Sequence, residues 1–252
     1  MILAVEDLSK KFAGVEALRP LSFAIDRGIT ALIGPNGAGK TTLFNLLSGI
    51  EEPTSGRIRH RGEDVTELSV AQRARRGIQR TFQNLQIFFR ISAVENVMVG
   101  ASGRLRLGLL SSLLSVPTVR RETRELRDRA AELMREVGLA QFIGRGADSM
   151  PYGALKRLEL ARALAADPEI LLLDEPAAGL NPRETAQIDE VIRQISARGI
   201  TVLLVEHDMK LVMAVSKRVI VLDHGKCIAD GTPREVQNNP QVVSAYLGSE
   251  TV

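Results

Sequence analysis

The run Gly34-Pro35-Asn36-Gly37-Ala38-Gly39-Lys40-Thr41 constrains this chain more than any other stretch. It follows the apolar segment Ile29 to Ile33, which reads as a strand, and it opens a helical pattern from Gly39 to Ser48. Strand, glycine-rich turn, lysine, threonine and helix in that order form the Walker A arrangement. The glycines let backbone N–H groups face a chain of phosphates, Lys40 adds a cation at the β and γ positions, and the helix N-terminus supplies a favourable potential. A turn that only joined a strand to a helix would not need all of these positions filled.

Such a site needs a carboxylate, and Ile170-Leu171-Leu172-Leu173-Asp174-Glu175 offers two. An apolar strand ends there in adjacent acids, at the carboxyl edge where open α/β sheets bind their ligands. The expected chemistry is ATP with Mg2+. Thr41 is a metal ligand, Asp174 holds the metal through water, and Glu175 orients or deprotonates the attacking water. His207 follows the strand Ile200 to Val205 at the same edge, although taken by itself it also suits a surface or capping role.

The remaining pattern fits an α/β class. Strands at Glu169 to Leu173, Ile200 to Val205 and Arg218 to Leu222 alternate with helices, as in a parallel sheet. The first part is β-rich, with Ile2 to Leu8, Leu21 to Ile25 and Gly56 to Arg61. A helical piece near Val70 to Arg76 and a short strand at Gly77 to Phe82 follow. From Ser92 to about Leu164 the apolar spacing turns helical, most clearly at Arg120 to Val137, which predicts a helical subdomain at 92–164 inserted into one folded unit of 1–252. Asn181, Pro182 and Glu184 spell a helix start, and Thr232, Pro233 and Glu235 repeat the device.

Composition removes several function classes. No apolar run nears the roughly 18 residues a membrane helix needs; the longest, Leu107 to Val116, is short and broken by serines. The single cysteine, Cys227, makes no internal disulfide, and the N-terminus lacks a leader pattern, so a reducing compartment is expected. The net charge is +3, but the basic residues are dispersed and aromatics are only 4%, too few for stacking bases, so no nucleic-acid partner is expected.

From Phe12 to its end the chain resembles ABC transporter ATP-binding subunits. The resemblance rests on order and spacing: Phe12, the Walker motifs, Arg80-Thr81-Phe82-Gln83 at the Q-loop and Val205-Glu206-His207-Asp208 at the switch histidine. It implies a P-loop NTPase fold of the ABC type, with an antiparallel β subdomain beside the helical one. It also implies that the nucleotide meets Phe12, Gly34, Pro35, Asn36, Gly37, Ala38, Gly39, Lys40, Thr41 and Thr42. Gln83 would touch the metal or the attacking water and lie where the helical lobe meets the membrane subunits, and His207 would be the switch histidine, a catalytic residue.

The family's signature Leu-Ser-Gly-Gly-Gln reads Met150-Pro151-Tyr152-Gly153-Ala154 here, so Pro151 replaces the serine that reaches the partner's γ-phosphate. Pro151, Tyr152 and Gly153 are then the residues offered to that partner's nucleotide. This departure, Ala177-Ala178-Gly179-Leu180-Asn181-Pro182, the ending Asn238-Asn239-Pro240 to Tyr246-Leu247-Gly248, and a longer segment from Ser102 to Pro117 look like branched-chain amino-acid importers. Such subunits sit peripherally on the cytoplasmic face of the inner membrane, bound to transmembrane permease subunits and paired face to face with a second ABC ATPase. The pair is a homodimer or a heterodimer, the resemblance favouring in the assembled transporter a related chain with a more usual signature, and an extracytoplasmic binding protein is an indirect partner. Among alternatives, a DNA-handling or translation ATPase would bring a coiled coil, zinc fingers or a second cassette. A lipopolysaccharide exporter subunit would keep the serine and glycine pair. A urea or amide importer fits nearly as well.

Overall fold

The computed structural model describes residues 1–101, 103 and 117–247, with the backbone alone at 117–120. The segment noted from Ser102 to Pro117, with its apolar stretch Leu107 to Val116, lies outside the described residues except for Gly103 and Pro117, and so does Gly248. In chain order the elements begin with β1 (Leu3–Phe12), β2 (Val15–Ile25), β3 (Ile29–Ile33) and α1 (Lys40–Ser48). Next come β4 (Ser55–His60), β5 (Glu63–Asp64), α2 (Val70–Arg75) and β6 (Ile78–Arg80), then the helices α3 (Ala93–Gly100), α4 (Pro117–Glu136) and α5 (Tyr152–Leu164). The chain returns through β7 (Ile170–Asp174), α6 (Pro182–Ala197), β8 (Thr201–Val205), α7 (Met209–Val215), β9 (Arg218–Asp223) and β10 (Lys226–Gly231), ending in α8 (Pro233–Gln237) and α9 (Pro240–Leu247).

Two compact units emerge: Met1–Arg80, Glu169–Glu175 and the chain from Ile192 onward form the first, while Thr81–Pro168 and Pro176–Val191 form the second. In the first, a six-stranded sheet has the order β10-β9-β3-β8-β7-β6. It is parallel from β9 to β6 and antiparallel only where β10 joins β9. Every residue of β3, β7 and β8 is buried. That is why these strands read as unbroken apolar runs instead of alternating ones: a parallel sheet is covered on both faces. The pleat then sorts their side chains. Leu32 faces a core shared with Leu43, Phe44 and Leu47 of α1 and with Leu3, Leu8 and Ile58 of a second, antiparallel sheet ordered β2-β1-β4-β5. Ala31 and Ile33 face the opposite cluster, with Val212, Val219, Val221, Val236 and Val242. Helix α1 is therefore set by apolar burial on the strands that carry the loops of interest, each fully buried leucine contributing about 1.5–3 kcal/mol.

Several boundaries differ from the sequence expectation. β1 continues past Leu8 to Phe12 because register shifts after Val5, Leu8 and Lys10 break the alternation on which strand patterns depend. β2 starts at Val15, ahead of the expected Leu21, since much of its first half is exposed and carries little apolar signal. β10 was hidden for the same reason, and β5 is a two-residue strand.

The second unit is built on α3, which packs on both α4 and α5. Val94 and Val97 of α3, Leu133 and Met134 of α4, and Leu155 and Leu158 of α5 are buried there. A β-carbon on Gly100 would overlap the Arg162 carbonyl oxygen, so the close approach of α3 to α5 requires glycine. Ser92 and Glu95 form a capping box at the start of α3. The helix starts expected downstream are present as well. Asn181 Oδ1 accepts the Arg183 and Glu184 N–H groups at 3.0 Å, and Thr232 and Glu235 form a capping box on α8. No helix among the described residues is long and apolar enough to cross a membrane.

Candidate active site

Strands β3, β8 and β7 are adjacent and parallel, so the loops at their carboxyl ends gather at one edge of the sheet. The loop after β3 runs from Gly34 to Gly39. Gly34 has φ +151, and a β-carbon there would overlap the Leu222 carbonyl oxygen, which excludes any larger residue without movement of the loop. Its N–H meets the Tyr246 hydroxyl of α9, whose burial raises the phenol above its ordinary pKa. Gly39, in left-handed backbone, caps α1 without a side-chain hydrogen bond. The first N–H groups of α1 thus have no side chain covering them, the arrangement that seats an anion.

Lys40 is only 7% exposed, and its ammonium donates to the carbonyls of Gly34 at 2.6 Å and Pro35 at 3.0 Å. Burial lowers its pKa, while the charges of Glu175 and Asp174 oppose that shift. The lysine therefore braces the loop from inside and keeps a cation in it. Thr41 is exposed in the first turn of α1 and Thr42 is half-buried beside it.

At the end of β7, Asp174 Oδ2 accepts from Arg80 Nη2 at 2.8 Å, both side chains being almost wholly buried. Glu175 turns away in left-handed backbone, φ 48, with its N–H on the Val205 carbonyl at 2.9 Å. Its carboxylate Oε1 lies 2.8 Å from His207 Nε2, so the acid after β7 and the histidine after β8 form a direct pair. His207 is in turn placed by its own chain: its N–H donates to Glu206 Oε2 at 3.1 Å, and Asp208 caps α7.

The first unit thus brings together Gly34 through Thr42, Asp174, Glu175 and His207. Phe12, also in the first unit, closes β1 at 40% exposure with Lys10 Nζ 4.7 Å above its ring. Gln83, Pro151, Tyr152 and Gly153 belong to the second unit. Gln83 is exposed, and its carbonyl accepts from Lys156 Nζ at 3.2 Å. Pro151 is the N-cap of α5 and makes no side-chain cap bond, whereas Tyr152 is 45% exposed and Gly153 is buried in the first turn. Two residues at the site escaped the sequence reading, Arg80 and Tyr246. The signal for Arg80 was a charged residue inside a short strand. Nothing local in the sequence pointed to Tyr246.

Because β8 lies between β3 and β7, a single bound triphosphate would meet the loop, the carboxylates and the imidazole together, which is the working plan of a P-loop ATPase. The family model described as ABC transporter matches residues 18–178, and that described as branched-chain amino acid ATP-binding cassette transporter matches residues 226–252. The high-affinity branched-chain amino acid transport ATP-binding protein LivG of Salmonella typhimurium is 46% identical over 98% of both chains. BraF of Pseudomonas aeruginosa, of the same description, is 44% identical, again over 98% of each. Among solved structures, the ADP conformation of MJ1267, an ATP-binding cassette of an ABC transporter, matches with a TM-score of 0.85 and 29% identity, covering 98% of both chains. The chain belongs to the ABC transporter family, as one of its ATP-binding, ATP-hydrolysing subunits.

Proposed function

We propose that this chain hydrolyses Mg2+–ATP to drive the import of branched-chain amino acids. It works as a peripheral subunit on the cytoplasmic face of the inner membrane, bound to permease subunits and paired with a second ABC ATPase. The observation that carries the hydrolytic part is the 2.8 Å contact between Glu175 and His207 at the edge that also bears the phosphate loop. A carboxylate held by an imidazole is fixed in orientation and ready to take a proton from water. The cargo rests on the two relatives named above and on the family match at residues 226–252.

The donors suit magnesium. Thr41 offers a hydroxyl and Asp174 a carboxylate, hard oxygens of the kind Mg2+ prefers. Among the described residues no cluster of three or more His, Cys, Asp or Glu forms a cage, and magnesium in such sites takes its remaining ligands from phosphate and water. When bound, the metal would neutralise charge on the phosphates. Lys40 and the N–H groups of α1 would hold the nucleotide, Phe12 would stack on its base, and Glu175 with His207 would direct the water. Gln83 and the helical segment 92–164 are proposed to form the surface that answers to the permease.

The test is uptake of leucine by proteoliposomes containing this chain, its permeases, its partner ATPase and the binding protein. Glu175→Gln is expected to keep ATP binding and to lower turnover at this site by about a hundredfold or more, the contribution typical of a general base. Normal turnover in that variant would remove Glu175 from its role. ATP-driven uptake of urea or amides without leucine would move the cargo and leave the chemistry standing.

A further inference from the structure

Arg80 ends β6 with Leu172 of β7 as its registered neighbour, and its guanidinium reaches two elements, α1 and β7. Nη1 donates to Asn45 Oδ1 at 2.7 Å and to Ser48 Oγ at 3.1 Å, both on α1, the helix that opens with Lys40. Nη2 donates to Asp174 Oδ2 at 2.8 Å, and the guanidinium lies 5.5 Å from the Phe44 ring centroid. The side chains of Arg80 and Asp174 are 7% and 8% exposed. One acceptor is itself oriented: the Ser48 hydroxyl gives its proton to the Phe44 carbonyl at 2.8 Å, leaving its lone pairs for Arg80. A planar fork held on both sides is a rigid mount, which a lysine cannot reproduce.

We propose that Arg80 is a positioning residue that serves as the resident counter-ion of Asp174, and that it sets how far nucleotide binding depends on the metal. The idea rests on the assignment of Asp174 to magnesium made above. An ATP arriving without metal brings several negative charges to a site that already holds Asp174 and Glu175. With Asp174 balanced by Arg80, the approach is less repulsive. The same cation competes with a metal for the Asp174 carboxylate, so it weakens metal binding while it eases metal-free binding. The buried pair itself adds little to stability. Its effect is on the charge balance between two ligands.

The opposite signs make the test specific. The full-length chain is titrated calorimetrically with ATP in EDTA. Separately, the ATP-loaded chain is titrated with Mn2+, followed by electron paramagnetic resonance as a probe of the metal site. Arg80→Gln is expected to weaken metal-free ATP binding about tenfold and to tighten Mn2+ binding by a similar factor, the scale of one nearby charge at intermediate dielectric. Arg80→Lys is expected to restore most of the metal-free affinity because the charge remains. The double variant Arg80→Gln/Asp174→Asn, which removes both charges together, should bind metal-free ATP as the native chain does, and it keeps the idea testable if Arg80→Gln does not fold. A folded Arg80→Gln chain that lost affinity for both ligands together would overturn the inference. So would unchanged affinities in Arg80→Gln, or a double variant that bound metal-free ATP as tightly as Asp174→Asn paired with native Arg80. A native chain that bound no ATP in either buffer would refute the proposed function instead.

Discussion

Glu175 sits at φ 48, a conformation in which a side chain with a β-carbon is strained, and no glycine has replaced it. The turn points its carboxylate at His207 while its N–H is fixed on Val205, so the strain is tied to the placement of the carboxylate proposed to act on water. Glu175→Gly should therefore stabilise the chain and disable it. Relief of left-handed strain is worth about 1 kcal/mol, which is about 2–4 °C in Tm for a domain this size. Calorimetry that found the glycine variant no more stable than the native chain would show that the turn stores no strain. At this scale the sequence was most informative where chemistry is local. The phosphate loop and the acid pair are contiguous in the chain, so residue type and spacing revealed them. Arg80 was not legible in this way, because its partners Asn45, Ser48 and Asp174 are distant in sequence and meet it only once β6, α1 and β7 are assembled.

Helix α5 shows how one element can organise a neighbouring loop through buried charge. Lys156, Glu159 and Arg162 follow one another at helical spacing on one face. Lys156 donates to the Gln83 carbonyl at 3.2 Å, Arg162 donates to the Gln86 carbonyl, and Glu159 takes the backbone N–H groups of Phe82 and Gln86. Lys156 and Glu159 are 3% and 4% exposed, so the segment carrying Gln83 is clamped within the second unit by groups that are costly to leave unpaired. Burial raises the pKa of Glu159, with the charges of Lys156 and Arg162 opposing. A carboxyl whose folded-state pKa is raised favours folding below its unfolded value, and that contribution is lost as pH rises through the folded-state one. The Tm difference between the native chain and Glu159→Gln should accordingly shift against the native chain as pH rises across this window, and a difference independent of pH would show that Glu159 does not titrate in the fold. Elements such as β3, β7 and β8 were readable because burial on both faces leaves apolar runs. β10, the first half of β2 and the clamp on Gln83 were not, since exposed strands and side-chain-to-backbone bonds leave no periodic trace.

At the scale of the working molecule, Pro151 is the informative departure. It takes the N-cap of α5 at φ −61 and ψ 155 but makes no side-chain cap bond, and proline has no hydroxyl to give to a phosphate. If ATP is sandwiched between this chain and a second ATPase, each chain's α5 N-terminus faces the other's phosphate loop. A partner with a serine at the equivalent position would then complete the site built on Lys40, Asp174 and Glu175 fully, while this chain returns a helix end lacking one donor. A lost hydrogen bond to a charged group costs about 1.5–3 kcal/mol, or about ten- to a hundredfold in rate if felt wholly in the transition state. Such a pair would be asymmetric, with faster chemistry expected on this chain's own loop. Pro151→Ser isolates the point, because it restores the hydroxyl and also supplies the missing cap on α5, worth about 0.5–2 kcal/mol of stability. In the reconstituted heterodimer the variant should speed single-turnover hydrolysis at the partner's loop and leave the rate at this chain's loop unchanged. The rise in Tm reports the cap separately, so a stabilised protein with no acceleration at the partner's site would mean that the serine hydroxyl does not act on phosphate. Faster native chemistry at the partner's loop than at Lys40, Asp174 and Glu175 would reverse the asymmetry altogether.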